Sequence, residues 1–356
     1  MRLPAGKAVP LQRPSGWPQA SCGEQELSQG FTFSADRPTS EAPTVAIVCG
    51  GWTGERAFSL QSAADLAQTC ERAGFASILL ETYGDCVDRW ARSALSGLPV
   101  DRTLVFPYVF GPGGEDGRIA EIAQCLGLRF YGPFPEAHKR AFDKAWSRRC
   151  FAAAGLKVPA QIVVAAGAGQ TAPEHSAWPV IVKPAAGGSS QGVTLAACAG
   201  SLSAAISRAA IEHHDVLIEE YIPGLEITLA CYRLGREFGC HAAHVSHDRI
   251  FFDETLKRSG NYRVLPALLP PAKLDLLKNQ GQLAYEALGA SDLVKLDVIV
   301  DPSGDFYFIE CDSIPGHGPE GLSSKIFRAC GADYDEVMRL LLDAAWNSGI
   351  RAPFAA

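Results

Sequence analysis

The sequence predicts an α/β fold of more than one domain, and three observations carry that prediction. An apolar run, Thr44-Val-Ala-Ile-Val-Cys49, suits a buried parallel strand; it ends in Gly50-Gly51 and leads into a helical pattern from Glu55 to about Ala73. Strand and helix signals then alternate through Arg129-Phe-Tyr131, the pattern of an α/β unit. From Ala137 the texture changes, and the last third alternates longer strands with helices near 271–288 and 333–347. The chain has 356 residues, enough for two or three domains around a sizeable core.

Within the first unit, Ala76-Ser-Ile-Leu-Leu-Glu81 and Arg102-Thr-Leu-Val-Phe-Pro107 read as strands, and 117–127 as a helix. A helix over 137–154 follows, then an extended segment over 158–164. Val180-Ile-Val-Lys183 is a strand running into a glycine-rich loop, before a helix at 201–212 and a strand at Val216-Leu-Ile-Glu-Glu220. The remaining strands fall at 226–234, 238–247, 294–300 and 306–310. No internal repeat is present. Residues 1–42 are rich in Pro, Gly, Ser and Gln and read as a poorly ordered extension.

Apolar residues make up 47% of the chain and charged residues 20%, ordinary for a globular enzyme. A net charge of -7 without a basic tract argues against nucleic acid or an anionic membrane as partner. No apolar stretch approaches the ~20 residues needed to span a bilayer, and the N-terminus lacks a signal-peptide apolar region. The eleven cysteines are scattered, odd in number and without a C-x-x-C pair. They read as small hydrophobes in a reducing cytosol.

Lys183 meets a loop holding Gly187, Gly188 and Gly192 around Ser189 and Ser190. Such a loop can turn backbone N–H groups and hydroxyls onto phosphate oxygens beside a fixed positive charge; a flexible surface turn is the plainer alternative. It is not a Walker A loop, since no G-K-[ST] follows the glycines. The carboxylates near the C-terminus are more informative. Glu310 and Asp312 stand two apart on a strand and share a face. Asp297 joins them if the two strands pair across Asp301-Pro-Ser-Gly304, giving three oxygen ligands suited to Mg2+ carrying phosphates. A solvated polar face is the alternative, but Val298, Phe308 and Ile309 make the hairpin too apolar for that. Glu219 and Glu226 flank Tyr221-Ile-Pro-Gly224, where a strand leaves through a hinge. Glu219 there is either a ribose or adenine contact or an exposed strand-end charge. His241, His244 and His247 do not share one strand face, which argues against zinc.

These residues resemble the D-alanine–D-alanine ligase family of the ATP-grasp superfamily. Gly50-Gly51 with Glu55-Arg56 and Ser59-Leu60 is similar to its opening, and Gly111-Pro-Gly-Gly-Glu-Asp-Gly117 to its second signature. Asp143-Lys144, Val182-Lys183-Pro184 with Gly188-Ser189-Ser190, and Glu219-Glu220-Tyr221-Ile222-Pro223-Gly224 with Glu226 follow in family order. Asp297, Glu310, Asp312 and Pro315-Gly316 complete the set. The resemblance implies three domains: a parallel α/β substrate domain (43–136), a central ATP-grasp subdomain (137–222) and a C-terminal catalytic subdomain (223–356). It implies that Lys144 and Lys183, with Gly188 and Ser190, touch ATP phosphates. Glu219 to Ile222, Glu226 and Lys257 would surround the nucleotide. Asp297, Glu310 and Asp312 would hold two Mg2+. Glu55 would hold the first substrate's ammonium, Ser189 would set substrate geometry, and Gly316 N–H with a nearby cation would stabilise an oxyanion. A cytoplasmic homodimer acting on amino acids is the family habit.

The departures cluster around the substrates. Lys295 stands where the family usually has Arg, and Asp312 where it has Asn. Phe110 replaces a common His before Gly111, and Lys257 is followed by Arg258 instead of Tyr. Gly321 falls where a family Ser binds the second substrate's carboxylate, with Ser323 or Ser324 as substitutes if the loop shifts. Dipeptide formation in the D-alanine ligase manner and a ligase with a different amino-acid or hydroxy-acid acceptor both remain open. A silent ATP-binding homologue is a rival of another class, opposed by the retained carboxylates. A dinucleotide-binding oxidoreductase is a further rival, opposed by the absence of G-x-G-x-x-G.

Overall fold

A computed structural model describes residues 43–83, 87–166, 178–210 and 215–349, with the backbone but not the side chain of Arg258. The extension expected over 1–42 lies outside these residues. β1 (Thr44–Gly50) buries six of its seven residues. Parallel to it run β2 (Ala76–Thr82) and β3 (Thr103–Pro107), with β4 (Arg129–Phe130) outermost, in the order β2-β1-β3-β4. Alternate residues of β1 feed two cores. Val45, Ile47 and Cys49 pack with Ala63, Leu66 and Cys70 of α1 (Arg56–Arg72). Ala46 and Val48 pack with α2 (Val87–Leu95) and α3 (Arg118–Cys125). Period-two alternation with helices on both faces makes the strand a continuous apolar run.

The single helix expected over 137–154 is two, α4 (Pro135–Phe142) and α5 (Lys144–Ala153). Asp143 separates them in an extended conformation (ψ 104), and its carboxylate accepts from Trp146 N at 2.9 Å to cap α5. The second sheet holds β5 (Gln161–Val164), β6 (Val180–Pro184), β7 (Thr194–Ala196) and β8 (Val216–Glu220), in the antiparallel order β5-β8-β6-β7. Its core is closed by α6 (Ala199–Ala209).

The third sheet begins with β9 (Leu225–Leu234) and β10 (Glu237–Ser246). After α7 (Glu254–Ser259), β11 (Arg263–Pro266) and α8 (Pro271–Leu288) come β12 (Val294–Val300) and β13 (Phe306–Asp312). The antiparallel order is β11-β10-β9-β12-β13. Helices α5 and α8 cover one face. The chain then turns back: Phe327 of α9 (Leu322–Ala329) and Met338 and Leu341 of α10 (Tyr334–Asn347) join the core that holds Val45, Leu66 and Phe106. The elements missing from the sequence reading, α2, β7, α7, β11 and α9, span only three to nine residues, too few to show a period. Among the described residues no helix is long and apolar enough to cross a membrane. The described cysteines are free, and Cys49, Cys70, Cys231 and Cys311 are buried as hydrophobes.

Candidate active site

The glycine loop after β6 and the β12–β13 hairpin wall a cleft of about 1550 Å³, open to solvent. Lys144, Lys183, Glu226, Lys257, Asp297 and Glu310 line it, as do Glu219 to Ile222 at the end of β8. Glu220 is exposed, Tyr221 half-buried and Ile222 buried.

Lys183, only 4% exposed, places Nζ 3.0 Å from Glu219 Oε1. Arg148 Nη1 approaches the same oxygen at 2.7 Å. Its Nε donates to Ile309 O at 3.0 Å, and Nη1 to Gln161 Oε1 at 3.1 Å. Burial pushes the Lys183 ammonium down to about 8, helped by Arg148 and opposed by Glu219. Burial alone would raise the Glu219 carboxyl, but Arg148 and Lys183 hold it below the usual range. Glu219 is 3% exposed and lines the cleft, so it is not an exposed strand-end charge. Its carboxylate meets two buried cations and holds Lys183 in place.

The glycine loop is bent through two serines in the left-handed region, Ser189 (φ 50) and Ser190 (φ 57). Non-glycine residues there cost on the order of 1–3 kcal/mol each, and such strain gathers at functional loops. Both hydroxyls tie the loop down: Ser189 Oγ donates to Glu55 Oε1, and Ser190 Oγ to Phe252 O at 3.0 Å. Lys144 Nζ donates to Gly187 O and lies 3.9 Å from Glu310 Oε2. Glu55 sits at the N-cap of α1 without capping it, so its carboxylate is free to face Ser189 and Gly188. Burial pushes Glu55 upward, with the Ser189 bond opposing. Glu226 Oε1 accepts from Phe252 N at 2.9 Å, and the Lys257 ammonium lies 5.2 Å from the Phe252 ring centre. The three histidines do not share one partner atom: His241 stacks on Tyr232, while His244 Nδ1 meets the backbone oxygen of Glu226 and His247 Nε2 lies 3.4 Å from its carboxylate Oε1.

In the hairpin, Asp297 pairs with Glu310 and Lys295 with Asp312. All four share one face, because pairs directly opposite and residues two apart point the same way. Lys295 Nζ lies 2.5 Å from Asp297 Oδ2 and 3.0 Å from Asp312 Oδ2. Burial would lower this ammonium, but Asp297 and Asp312 hold it above its usual value. Burial would raise Glu310, yet Lys144 and Lys183 hold it well below the usual carboxylate range. Among the described residues no three His, Cys, Asp or Glu side chains close on one point. Lys295 stands between two of the carboxylates, while Glu310 turns to Lys144. The donor set itself is oxygen-only and already gathers cations, which fits a hard divalent ion in kind.

Next to Gly111, which lines the cleft, Phe110 packs tilted against Phe58 and edge to face against Tyr108, each at 5.2 Å between ring centres. Gly316 lies beside Gly321, whose added Cβ would fall 2.4 Å from His317 O and 2.5 Å from Gly316 O. A serine does not fit there as the loop stands. Of the suggested substitutes, Ser324 Oγ is spent on Gly318 O, while Ser323 Oγ is buried without a hydrogen-bond partner. Arg258 lies in α7, with its side chain outside the described residues.

Sequence reading missed Arg148 and Phe58. A signal for the first existed: Lys144, Arg148 and Phe151 lie at i, i+4 and i+7, so Arg148 shares the face of a residue already singled out. Phe58 stands three residues after Glu55 on α1 and carried no motif of its own.

Solved structures share this architecture. The VanG D-Ala:D-Ser ligase of Enterococcus faecalis superposes with a TM-score of 0.72 at 23% identity, over 86% of this chain and 100% of that one. The D-alanine–D-alanine ligase of Bacillus anthracis, complexed with ATP, gives 0.71 at 19%, over 86% and 98%. The three sheets and the cleft between the second and third thus define an ATP-grasp fold. The family described as D-ala D-ala ligase C-terminus matches residues 151–343. The D-alanine–D-alanine ligase of Gloeobacter violaceus is 32% identical over 310 residues, 84% of this chain and 98% of the relative. That of Stutzerimonas stutzeri is 29% identical over 322 residues, 90% and 99%. The chain belongs to the D-alanine–D-alanine ligase family, a family of ATP-dependent amide-forming ligases.

Proposed function

We propose that this chain activates one amino acid's carboxylate with ATP and joins it to the amine of a second. The observation that carries the reading is the meeting, in one cleft, of Lys144 and Lys183 with the Asp297–Glu310–Asp312 face and, across the glycine loop, Glu55. Lys144, Lys183 and the backbone at Gly188 and Ser190 neutralise and orient the phosphates. Glu220, Tyr221, Ile222, Glu226 and Lys257 surround the nucleoside end, while Glu219 holds Lys183 in place. Asp297, Glu310 and Asp312 would hold Mg2+, two ions in this reading, which supply charge neutralisation at the phosphates.

Glu55 takes the first substrate's ammonium, and Ser189 aligns that substrate through Glu55. With the carboxylate placed against the γ-phosphoryl, transfer is chiefly a matter of positioning. The product is an acyl phosphate. Attack by the second amine passes through a tetrahedral intermediate, whose oxyanion is met by Gly316 N–H and Lys295. The crowded backbone at Gly321 favours a second reading of the acceptor, one bound without the family's serine hydroxyl. The proposal extends to a cytoplasmic homodimer, which light scattering on the purified chain tests.

The deciding measurement is Mg2+-dependent ADP release with product masses across D-amino acids, L-amino acids and hydroxy acids. An amide product with any amino-acid pair supports the ligase. An ester product moves the nucleophile to a hydroxyl, and ATP binding without turnover of any pair would leave a silent homologue.

A further inference from the structure

Beside Glu55 and Gly111, which line the cleft, stands an aromatic pair that none of the roles above employs, Phe58 and Phe110. Phe58 lies one turn along α1 from Glu55 and is 50% exposed. Phe110, itself 5% exposed, packs against it with the rings tilted by 32°, and Tyr108 meets Phe110 edge to face, so Phe58 is half exposed over a buried aromatic support. The tip of the ring reaches the loop after β13: a Cβ on Gly316 would lie 3.7 Å from Phe58 Cζ, 3.7 Å from Gly321 Cα and 3.8 Å from Leu322 N. Glu55, Gly111 and Leu322 all line the cleft. Phe58 is therefore bounded by cleft residues on the side of Glu55, through Phe110 on the side of Gly111, and by the Gly316–Leu322 backbone.

What is missing at this end sharpens what is present. No side chain fits at Gly321, so no hydroxyl can stand there to meet a substrate carboxylate. Polar recognition is reduced where an open apolar ring is offered. An occupant with a charged side chain would be desolvated against the ring with no partner, and a methyl group covers little of it.

We propose that Phe58 and Phe110 form the side-chain wall of the amino-acid site and select an amino acid whose side chain is apolar and larger than methyl. The inference rests on the ligase reading and names its substrate class. Hydrophobic pockets discriminate by about 10- to 200-fold per methylene, so the preference is large enough to measure.

The test is calorimetric titration of the full chain, loaded with Mg2+ and a non-hydrolysable ATP analogue. The ligands are alanine, 2-aminobutyrate, leucine, phenylalanine and aspartate in both hands. Leucine or phenylalanine should bind at least about tenfold more tightly than alanine, and aspartate more weakly still. Phe58→Ala should erase that ratio with the ATP analogue bound as before, and Phe58→Leu, which restores apolar surface, should retain part of it. Alanine binding as tightly as the larger ligands, an unchanged ratio in Phe58→Ala, or binding by none of them overturns the proposal. ADP release followed in parallel separates the two readings. The expected binding order without turnover removes the ligase and keeps the wall, whereas turnover with alanine preferred removes the wall and keeps the ligase.

Discussion

Arg148 is the bulkiest side chain that the fold buries almost completely, and it is charged. A buried guanidinium is costly unless its charge is matched; here Glu219 meets the charge, Ile309 O accepts from Nε and Gln161 Oε1 from Nη1, while Nη2 is buried without a hydrogen-bond partner. It fixes the place of Glu219 and through it Lys183. Arg148→Met should therefore destabilise the chain by about 3–5 kcal/mol, since it strips a buried carboxylate of one of its two cations. Urea unfolding measures this, and a change below about 1 kcal/mol would remove Arg148 from the role. Gly321 teaches the opposite lesson at the same scale: its place is set by backbone oxygens, not by a ligand.

Among the elements, the β12–β13 hairpin concentrates the most chemistry. Its register places Lys295 against Asp312 and Asp297 against Glu310, so the two residues of the hairpin that depart from the family, Lys295 and Asp312, form a pair with each other. Lys295 keeps the positive charge of the usual Arg and Asp312 adds a negative one, and the two charges lie 3.0 Å apart. Asp297→Asn should weaken Mn2+ or Mg2+ binding at least about tenfold, read by calorimetry or by the manganese resonance signal. Equal affinity in the variant would place the ion elsewhere. The glycine loop is the complementary element, bent through Ser189 and Ser190 and fastened at both hydroxyls to other parts of the chain.

Over the whole molecule, the first and third sheets share a core, and two buried imidazoles lie along that join. His138 Nδ1 meets Ser313 Oγ at 2.7 Å, and His317 Nδ1 meets Tyr334 Oη at 2.7 Å. Burial pushes both down to about 3. Unfolded imidazoles take up protons near pH 6.5, whereas these stay neutral in the fold, so the unfolded chain binds more protons as the pH falls. Stability is fully present above about 6.5 and declines toward 3, by up to about 1.4 kcal/mol per pH unit for each imidazole. The lowered carboxyls of Glu219 and Glu310 act in the same direction at lower pH, whereas burial raises those of Glu55, Glu115, Glu226 and Asp297, which act against it. The imidazole contribution is therefore read by difference: between pH 7 and 5 the unfolding free energy of the wild-type chain should fall relative to that of His138→Asn. Parallel profiles for the two would contradict the burial of His138 as a neutral imidazole.

The sequence by itself determined the family, the parallel opening unit, the glycine loop beside Lys183 and the shared face of Glu310 and Asp312. Each of these depends on residues close in the chain, where the two-residue and 3.6-residue periods of the backbone dictate which side chains meet. The tertiary structure alone decided that Glu219 serves Lys183 and Arg148, that Gly321 has no room for a side chain, and that Phe58 reaches the Gly316 loop. It also decided that α9 and α10 return to the first sheet. Such partners lie far apart in sequence, and only the packing of elements brings them together. Their chemistry was visible in the residue types, but their pairing had no local period to announce it.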